Sequence, residues 1–320
     1  MEETMQSVRA HIRGGPEVLT VERAPRPVAA PGEALVQVEA ASITPTELSW
    51  DETYVDAAGR PRTPTIPSHE VAGHVCAIGP GVDDLAVGDS VFGLVDFDRN
   101  GAAAEFVSVP ARALAPAPRT VDALTAAAVP LAGLSAWQAL FTHGGLRAGQ
   151  RVLVHGGAGG VGMFVVQLAH DAGAHVSTTV RARDAEFVRD LGADDVLDRD
   201  AVRFEEVIAP VDLVIDLAGG DALTRSFAMI VPGGALVSLA ETPSPELARQ
   251  HEVRGCYFIV EPDREQLAEL ARRIDAGRLR VVIDRVFPLA EARSAFEYAR
   301  SAHHRGKIVL EVHLDEGKRK

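Results

Sequence analysis

Short apolar runs separated by proline and glycine fill the first third of the chain. The runs are rich in valine and alanine, and turn signals such as Pro31-Gly32 and Pro80-Gly81 stand between them. This spacing predicts a compact, mainly antiparallel β domain. The predicted strands cover residues 18–21, 34–41, 70–78, 90–95 and 104–109.

Near residue 119 the pattern changes to alternating strands and helices. Near-continuous apolar stretches such as Leu213-Val214-Ile215 are typical of parallel strands that are buried on both faces. With crossover helices between them, they predict a doubly wound α/β domain built on a six-stranded parallel sheet, a Rossmann domain. The predicted strands are residues 151–155, 175–180, 195–197, 212–216, 235–239 and 255–260, and the predicted helices include 163–172, 185–191, 223–230 and 264–276.

The C-terminal segment holds too few elements to fold alone. It contains two predicted strands, 281–287 and 307–312, and a helix near 289–301. We therefore expect it to return to the β domain. The predicted domains are residues 1–118 with 279–320 and residues 119–278.

A glycine cluster follows the first strand of the predicted parallel sheet. Gly157, Gly159 and Gly162 fit the pattern G-x-G-x-x-G, with a strand before it, a helix after it and a second strand closing the βαβ unit. Glycine lets the backbone turn sharply and approach a ligand, and the N–H groups at the helix start face negative charge. The cluster, including Ala158, Gly160 and Val161, therefore predicts a pyrophosphate site for a dinucleotide; the alternative is a tight turn without a ligand.

Composition narrows the partners and the compartment. The net charge of −13, with no basic stripe, argues against a nucleic-acid partner. Two cysteines give no disulfide framework and suit a reducing cytosol. The acidic N-terminus is unlike a signal peptide, and the most apolar region, residues 123–141, is interrupted by Pro130 and small polar residues. We expect a soluble cytoplasmic protein that does not enter a membrane.

Several blocks resemble the medium-chain dehydrogenase/reductase superfamily. Residues 67–75, P-S-H-E-V-A-G-H-V, are similar to its G-H-E-x-x-G-x-V motif, and residues 101–106, G-A-A-A-E-F, are similar to its G-x-x-A-E-Y segment. The L-G-A-D at 191–194 and the G-K-I-V-L at 306–310 are also typical. The resemblance covers nearly the whole chain and implies a GroES-like β domain, a Rossmann domain and a homodimer.

The superfamily's alcohol dehydrogenases hold catalytic zinc with one cysteine, the histidine of G-H-E, and a second cysteine or acid. This chain keeps His69 and Glu70, but it has no cysteine in residues 41–47, and Leu131 stands where the later cysteine would be. One imidazole and one carboxylate do not close a three-ligand catalytic site. The sequence therefore predicts no bound metal.

Among zinc-free members, the chain resembles the quinone oxidoreductase (zeta-crystallin-like) and enoyl reductase branch. The resemblance implies a reductase that passes hydride from NADPH to a quinone or an α,β-unsaturated carbonyl, because a conjugated acceptor is already electrophilic. Two alternatives stay open. One is a biosynthetic enoyl or ketone reductase acting on a carrier-bound or free intermediate, and the other is a non-catalytic NADPH-binding protein.

The residues after the second parallel strand favour NADPH over NADH. NAD sites place an acid there, about twenty residues past the glycines, to bind the ribose 2′-hydroxyl. Here the strand ends at Thr179-Val180, and Arg181 and Arg183 follow. Two guanidinium groups and a threonine hydroxyl fit a 2′-phosphate, whereas the alternative is that the arginines only solvate a helix start.

The resemblance also implies where the reaction takes place. It puts the nicotinamide between the domains, near Thr44 and Leu131. Tyr54 is the candidate proton donor or hydrogen-bond donor to the acceptor, and Thr44 a second hydrogen-bond donor; a buried loop aromatic is the alternative for Tyr54. The remaining predicted cofactor contacts are Leu239, Ala240, Phe258 and Ile259, and the predicted apolar wall of the substrate pocket is Trp50, Tyr54, Phe97 and Phe258.

Overall fold

The computed structural model describes residues 3–301 and 303–313. They divide into two compact units, each made from separate stretches of chain. The first contains the described residues up to Leu131, Glu261–Ala276 and the described residues from Val281 onward, and the second contains Ala132–Val260 and Gly277–Arg280. The domain boundaries expected from the sequence, at 118/119 and 278/279, stay a prediction.

The described residues form fifteen strands and nine α-helices. The strands are β1 (Thr4–Ala10), β2 (Leu19–Pro25), β3 (Glu33–Ile43), β4 (Glu70–Ile78), β5 (Ser90–Leu94), β6 (Phe106–Pro110), β7 (Leu114–Pro116), β8 (Arg151–His155), β9 (His175–Val180), β10 (Asp195–Asp198), β11 (Val211–Asp216), β12 (Ile230–Ser238), β13 (Arg254–Tyr257), β14 (Ile283–Pro288) and β15 (Lys307–Glu311). The helices are α1 (Ala123–Ala127), α2 (Pro130–Trp137), α3 (Gly162–Asp171), α4 (Ala185–Asp190), α5 (Phe204–Val207), α6 (Gly220–Ser226), α7 (Pro245–Gln250), α8 (Arg264–Asp275) and α9 (Ala292–Ser301).

The first unit is built on a seven-stranded sheet in the order β14-β15-β3-β4-β5-β7, with β6 also paired to β3. Every pairing is antiparallel except that of β14 with β15. Strand β15 pairs with β3, where Ile308 faces Ile43, so the C-terminal segment adds a strand to this sheet. Helix α9 buries Ala295, Phe296 and Ala299 in the same core.

A two-stranded sheet of β1 and β2 adds to this unit, and the sequence patterns missed β1. Ser7 occupies a buried position of β1, and its hydroxyl donates a hydrogen bond to Glu22 O. A polar residue at a core position breaks the apolar alternation by which a strand is recognised.

The second unit contains the predicted six-stranded sheet, and all its pairings are parallel. Its order, β10-β9-β8-β11-β12-β13, is that of a Rossmann domain, so the predicted fold class is confirmed. The order reverses beside β8, since β9 and β10 extend to one side and β11, β12 and β13 to the other.

Two predicted boundaries in this unit are wrong. Helix α6 ends at Ser226, and Ile230, predicted to close that helix, instead opens β12 and pairs with Val211. Strand β13 ends at Tyr257 rather than continuing to residue 260. In both cases the apolar run continues across the observed boundary, and apolar character alone does not mark where a helix ends or where strand pairing begins and ends.

Within residues 3–301 and 303–313, no helix combines the length and the apolar character that crossing a membrane would require.

Candidate functional site

The glycine turn after β8 is packed too tightly for any side chain at two of its positions. A Cβ added at Gly157 would lie 2.2 Å from Thr178 Oγ1, and one at Gly162 would lie 2.1 Å from Gly156 O. At Gly159, by contrast, Gly156 O, at 3.5 Å, is the only atom of residues 3–301 and 303–313 near such a Cβ. The turn is therefore closed toward the protein and open at Gly159. This open face at the start of the ten-residue helix α3 suits the close approach of a pyrophosphate.

The two kinds of glycine predict different effects of alanine. Gly162→Ala forces a methyl group against backbone and should reduce the free energy of unfolding by about 3 kcal/mol or more. Gly159→Ala should leave the thermal midpoint within about 2 °C of wild type, since the fold has room for the methyl group. It should still weaken dinucleotide binding by about tenfold, because the methyl group stands where the ligand approaches.

Thermal unfolding and titration with NADPH separate these effects. If Gly159→Ala bound the dinucleotide as tightly as wild type, the open face of the turn would not be the binding surface.

His155, the last residue of β8, ties three elements together beneath the turn. Its Nδ1 lies 2.9 Å from Thr179 Oγ1, and its Nε2 lies 2.8 Å from Ser226 Oγ. The Ser226 hydroxyl donates its hydrogen to Ala222 O, so Nε2 must carry the imidazole hydrogen, and Nδ1 accepts from Thr179. Burial lowers the pKa of His155 to about 4, so the ring is neutral at pH 7. Thr179, predicted to contact the cofactor, thus directs its hydroxyl hydrogen to His155 and is buried.

The other predicted cofactor residues of this unit follow the carboxyl ends of neighbouring strands. Arg181 and Arg183 come directly after β9, next to the glycine turn, because Gly156 N donates to Thr179 O over 3.1 Å. Arg181 is half-buried and Arg183 is exposed. Leu239 and Ala240 follow β12, and Phe258 and Ile259 follow β13, where Phe258 packs against His143 with ring centroids 4.3 Å apart. These residues thus follow strands along the same carboxyl edge of the sheet, and their contacts with a cofactor stay predictions.

In the first unit, a buried ion pair lies at the start of β4. Glu70 Oε2 is 2.5 Å from Lys307 Nζ, and Glu70 Oε1 accepts a hydrogen bond of 2.9 Å from the backbone N–H of Leu131. Both charged side chains are almost fully buried, with 1% and 6% of their surface exposed. Leu131 is also buried. Sequence reasoning missed Lys307, because it lies far along the chain and resembles an ordinary lysine at a strand start.

His69 is buried beside two predicted pocket residues. Its ring lies 5.2 Å from that of Phe97 and 6.4 Å from that of Trp50, and these two rings are 5.2 Å apart. Among the residues that the structure describes, neither ring nitrogen finds a hydrogen-bond partner of normal geometry. Burial lowers the pKa of His69 to about 3, and the positive charge of Arg62 acts in the same direction. The structure thus brings Trp50, Phe97 and His69 into one aromatic cluster.

This arrangement does not fit a catalytic zinc ion. The neighbouring carboxylate of Glu70 is already shared by Lys307 and the Leu131 N–H. No three His, Cys, Asp or Glu side chains among the residues that the structure describes are grouped so that they could hold a metal. A catalytic zinc site needs three protein ligands and an open position.

Glu47 is a second buried carboxyl group near this cluster. Its Oε1 accepts a hydrogen bond of 3.1 Å from Ser68 N, and its buried Oε2 has no hydrogen-bond partner in the part of the chain that the structure describes. Ser68 has a backbone φ of 69°, in the left-handed region that residues other than glycine rarely adopt. Burial raises the pKa of Glu47 to about 8, with the nearby charge of Glu70 adding to the shift. Glu47 is therefore mostly protonated at pH 7.

The raised pKa of Glu47 predicts a pH-dependent stability. The folded state holds this proton more tightly than the unfolded chain, whose ordinary value is 4.5, so the stabilisation is complete below pH 4.5 and is lost as the pH rises toward 8. Relative to Glu47→Gln, wild type should lose up to about 1.4 kcal/mol of unfolding free energy per pH unit in this window.

Urea unfolding of both proteins at several pH values tests this, with the exposed Glu246→Gln as control. A wild-type advantage over Glu47→Gln that does not change between pH 5 and 8 would show that Glu47 is ionised in the folded protein.

The two predicted hydrogen-bond donors of this unit lie near Glu47. The Tyr54 hydroxyl donates to Leu48 O over 3.0 Å and lies 3.5 Å from Gly14 O, and the residue is 6% exposed. Burial raises the pKa of its hydroxyl. Thr44, directly after β3, is half-buried, and its carbonyl accepts from Glu47 N. A proton transfer from Tyr54 would have to break its bond to the backbone, so its catalytic role and that of Thr44 stay predictions.

Comparison with known proteins agrees with this architecture. Residues 30–119 match the alcohol dehydrogenase GroES-like domain family, and residues 191–310 match a family described as zinc-binding dehydrogenase. A chloroplast envelope quinone oxidoreductase homolog of Arabidopsis thaliana is 31% identical over 93% of this chain and 95% of its own length. The chain belongs to the medium-chain dehydrogenase/reductase superfamily.

Two further comparisons place the chain among the quinone oxidoreductase-like members of this superfamily. The quinone oxidoreductase of Coxiella burnetii superposes with a TM-score of 0.90 at 31% identity, over 97% of this chain and 100% of the other. The NADPH-dependent alkenal/one oxidoreductase of Arabidopsis thaliana chloroplasts is 32% identical over 87% of this chain and 72% of its own. This quinone oxidoreductase-like protein is accordingly an oxidoreductase with a dehydrogenase nucleotide-binding fold, which takes a nicotinamide cofactor.

Proposed function

We propose that the protein is an NADPH-dependent, zinc-independent reductase of quinones or α,β-unsaturated carbonyls. The observation that carries the proposal is the open face of the glycine turn at Gly159, with Arg181 and Arg183 directly after the neighbouring strand. Relatives named for quinone and for alkenal reduction support the acceptor class. The same proposal includes a small-molecule acceptor, a homodimer and a cytoplasmic location, which follow from resemblance and composition.

Residues of the chain support the cofactor and the acceptor of this proposal. The backbone of the glycine turn would bind the pyrophosphate, and the two arginines would bind the 2′-phosphate through charge-assisted hydrogen bonds. When bound, NADPH supplies the hydride. The aromatic rings of Trp50 and Phe97 would provide flat apolar surfaces on which a conjugated acceptor could pack.

The two arginines should set the choice between the cofactors. Arg181→Ala combined with Arg183→Ala should raise KM for NADPH by about a hundredfold, because two charge-assisted contacts are lost, and should leave KM for NADH nearly unchanged. Steady-state kinetics with each cofactor and one acceptor measure the effect. An unaltered NADPH/NADH ratio of kcat/KM would mean that the 2′-phosphate is recognised elsewhere or not at all.

Metal independence can be tested directly. Untagged protein should contain far less than one equivalent of zinc per chain by elemental analysis, and a chelator should not change its activity. Stoichiometric zinc, together with loss of activity on its removal and recovery on its return, would contradict the proposal.

A panel of acceptors tests the function as a whole. NADPH oxidation should be fast with quinones or enones. Faster turnover of enoyl thioesters would favour a biosynthetic enoyl reductase on the same scaffold. Saturable NADPH binding without turnover of any acceptor would instead favour a non-catalytic role.

A further inference from the structure

Polar side chains at the carboxyl ends of four neighbouring strands form a buried row in the parallel sheet. In register across the sheet they are Thr179 of β9, His155 of β8, Asp216 of β11 and Ser238 of β12. Asp216 and Ser238 are completely buried. Polar groups at this depth are costly unless they are hydrogen-bonded, so their partners show what they hold in place.

Asp216 and Ser238 bind each other and the backbone that follows each strand. The Ser238 hydroxyl donates to Asp216 Oδ2 over 2.8 Å. Asp216 Oδ1 accepts from Ala218 N at 3.2 Å and Gly219 N at 3.0 Å. In turn, Ser238 Oγ accepts from Ala240 N and from Glu241 N, both at 3.1 Å. The side chains of Asp216 and Ser238 therefore hold backbone N–H groups at the start of two loops, residues 217–220 and residues 239–241.

A hydrogen bond at the surface also joins the two loops to each other. Glu241 Oε1 accepts a hydrogen bond of 3.1 Å from Gly220 N. Gly219 and Gly220 have φ values of 71° and 66°, so two consecutive residues adopt the left-handed conformation. Glycine reaches this conformation without strain but loses much conformational entropy when it is fixed there. The hydrogen bonds to Asp216 and Glu241 hold this loop in one shape.

The two loops lie where a dinucleotide is expected. The strand order of this sheet reverses between β8 and β11, and ligands of doubly wound sheets bind outside the carboxyl ends of the strands at such a point. The glycine turn after β8 forms one side of this crevice, and residues 217–220 after β11 form the other. Leu217 N donates to His155 O over 3.3 Å, which connects the two sides.

We infer that Asp216, Ser238 and Glu241 are positioning residues for the cofactor. They hold residues 217–220 and 239–241 in the arrangement that receives the dinucleotide, so that little loop ordering is left to occur on binding. The inference rests on the proposed function, since it concerns the same cofactor. Asp216 is completely buried, and its carboxylate accepts hydrogen bonds from Ser238 and from the backbone N–H groups of Ala218 and Gly219. Apolar residues of similar volume would avoid the desolvation of this group, so stability alone does not explain its presence.

Ser238→Ala tests the inference, with Ser177→Ala as a matched control. Ser177 is also a buried serine of this sheet, and its hydroxyl donates to a carboxylate, Asp195, at 3.0 Å, but it lies inside β9, away from the loops. The measurements are the dissociation constant for NADPH, the kinetic constants and urea unfolding. Ser238→Ala should raise the Kd and the KM for NADPH about tenfold with a smaller change in kcat, whereas Ser177→Ala should lose similar stability and bind as wild type does.

A second variant keeps the test decisive if Ser238→Ala does not fold. Glu241 is exposed, so Glu241→Ala should fold normally and raise the Kd about threefold, and Glu241→Gln, which keeps an acceptor oxygen, should restore binding. Equal affinity of wild type, Ser238→Ala and Glu241→Ala would overturn the inference, as would unchanged binding by Glu241→Ala alone if the serine variant is unfolded. Wild type that binds neither NADPH nor NADH would instead refute the proposed function.

Discussion

The close packing of the glycine turn is the constraint on which the cofactor side of the protein depends. Because Gly162 has no Cβ, α3 can begin within contact of Gly156 O and lie directly over the end of β8. Because Gly157 has none, the turn can approach Thr178 on the neighbouring strand. A turn that closed less tightly would move the start of α3 away from the sheet edge. The open face at Gly159 would then no longer stand beside the residues that follow β9 and β11.

The first unit depends on a different kind of interaction, the buried pair of Glu70 and Lys307. It joins the start of β4 to the start of β15, and the same carboxylate holds the Leu131 N–H. Two buried charges need not stabilise a fold relative to apolar residues, but removing one of them leaves the other uncompensated, at a cost of about 3–5 kcal/mol. The main effect of the pair is therefore to hold three distant segments in one arrangement, and its net contribution to stability is small.

The sequence was sufficient to predict most elements of the parallel sheet and its glycine turn, because both are local. Apolar runs of strand length identify β8, β9 and β11, and the glycine spacing identifies the turn between β8 and α3. The boundary errors at Ile230 and after Tyr257 have one cause, since only the partner strand determines where pairing begins and ends.

The polar partners of the site were not predictable in the same way. Asp216 and Ser238 each lie at the end of an apolar strand, and nothing in the sequence pairs them. Their contact is a consequence of the register between β11 and β12. Lys307 meets Glu70 only through the pairing of β15 with β3 and of β3 with β4. For the same reason, the family resemblance could suggest Tyr54 as a candidate, whereas its hydrogen bond to Leu48 O depends on the fold of the loop.

Burial holds two ionisable groups of the first unit in their neutral forms. At pH 7 Glu47 is mostly protonated, because burial raises its pKa to about 8, and His69 is neutral, because burial lowers its pKa to about 3. By staying neutral, each group avoids the cost of an unpaired charge in the interior. Neutral His69 can therefore pack against Trp50 and Phe97 as a member of one aromatic cluster. The buried charges of Glu70 and Lys307 compensate each other, and this separation of a neutral cluster from a charged pair explains why the two adjacent residues His69 and Glu70 are both stable when buried.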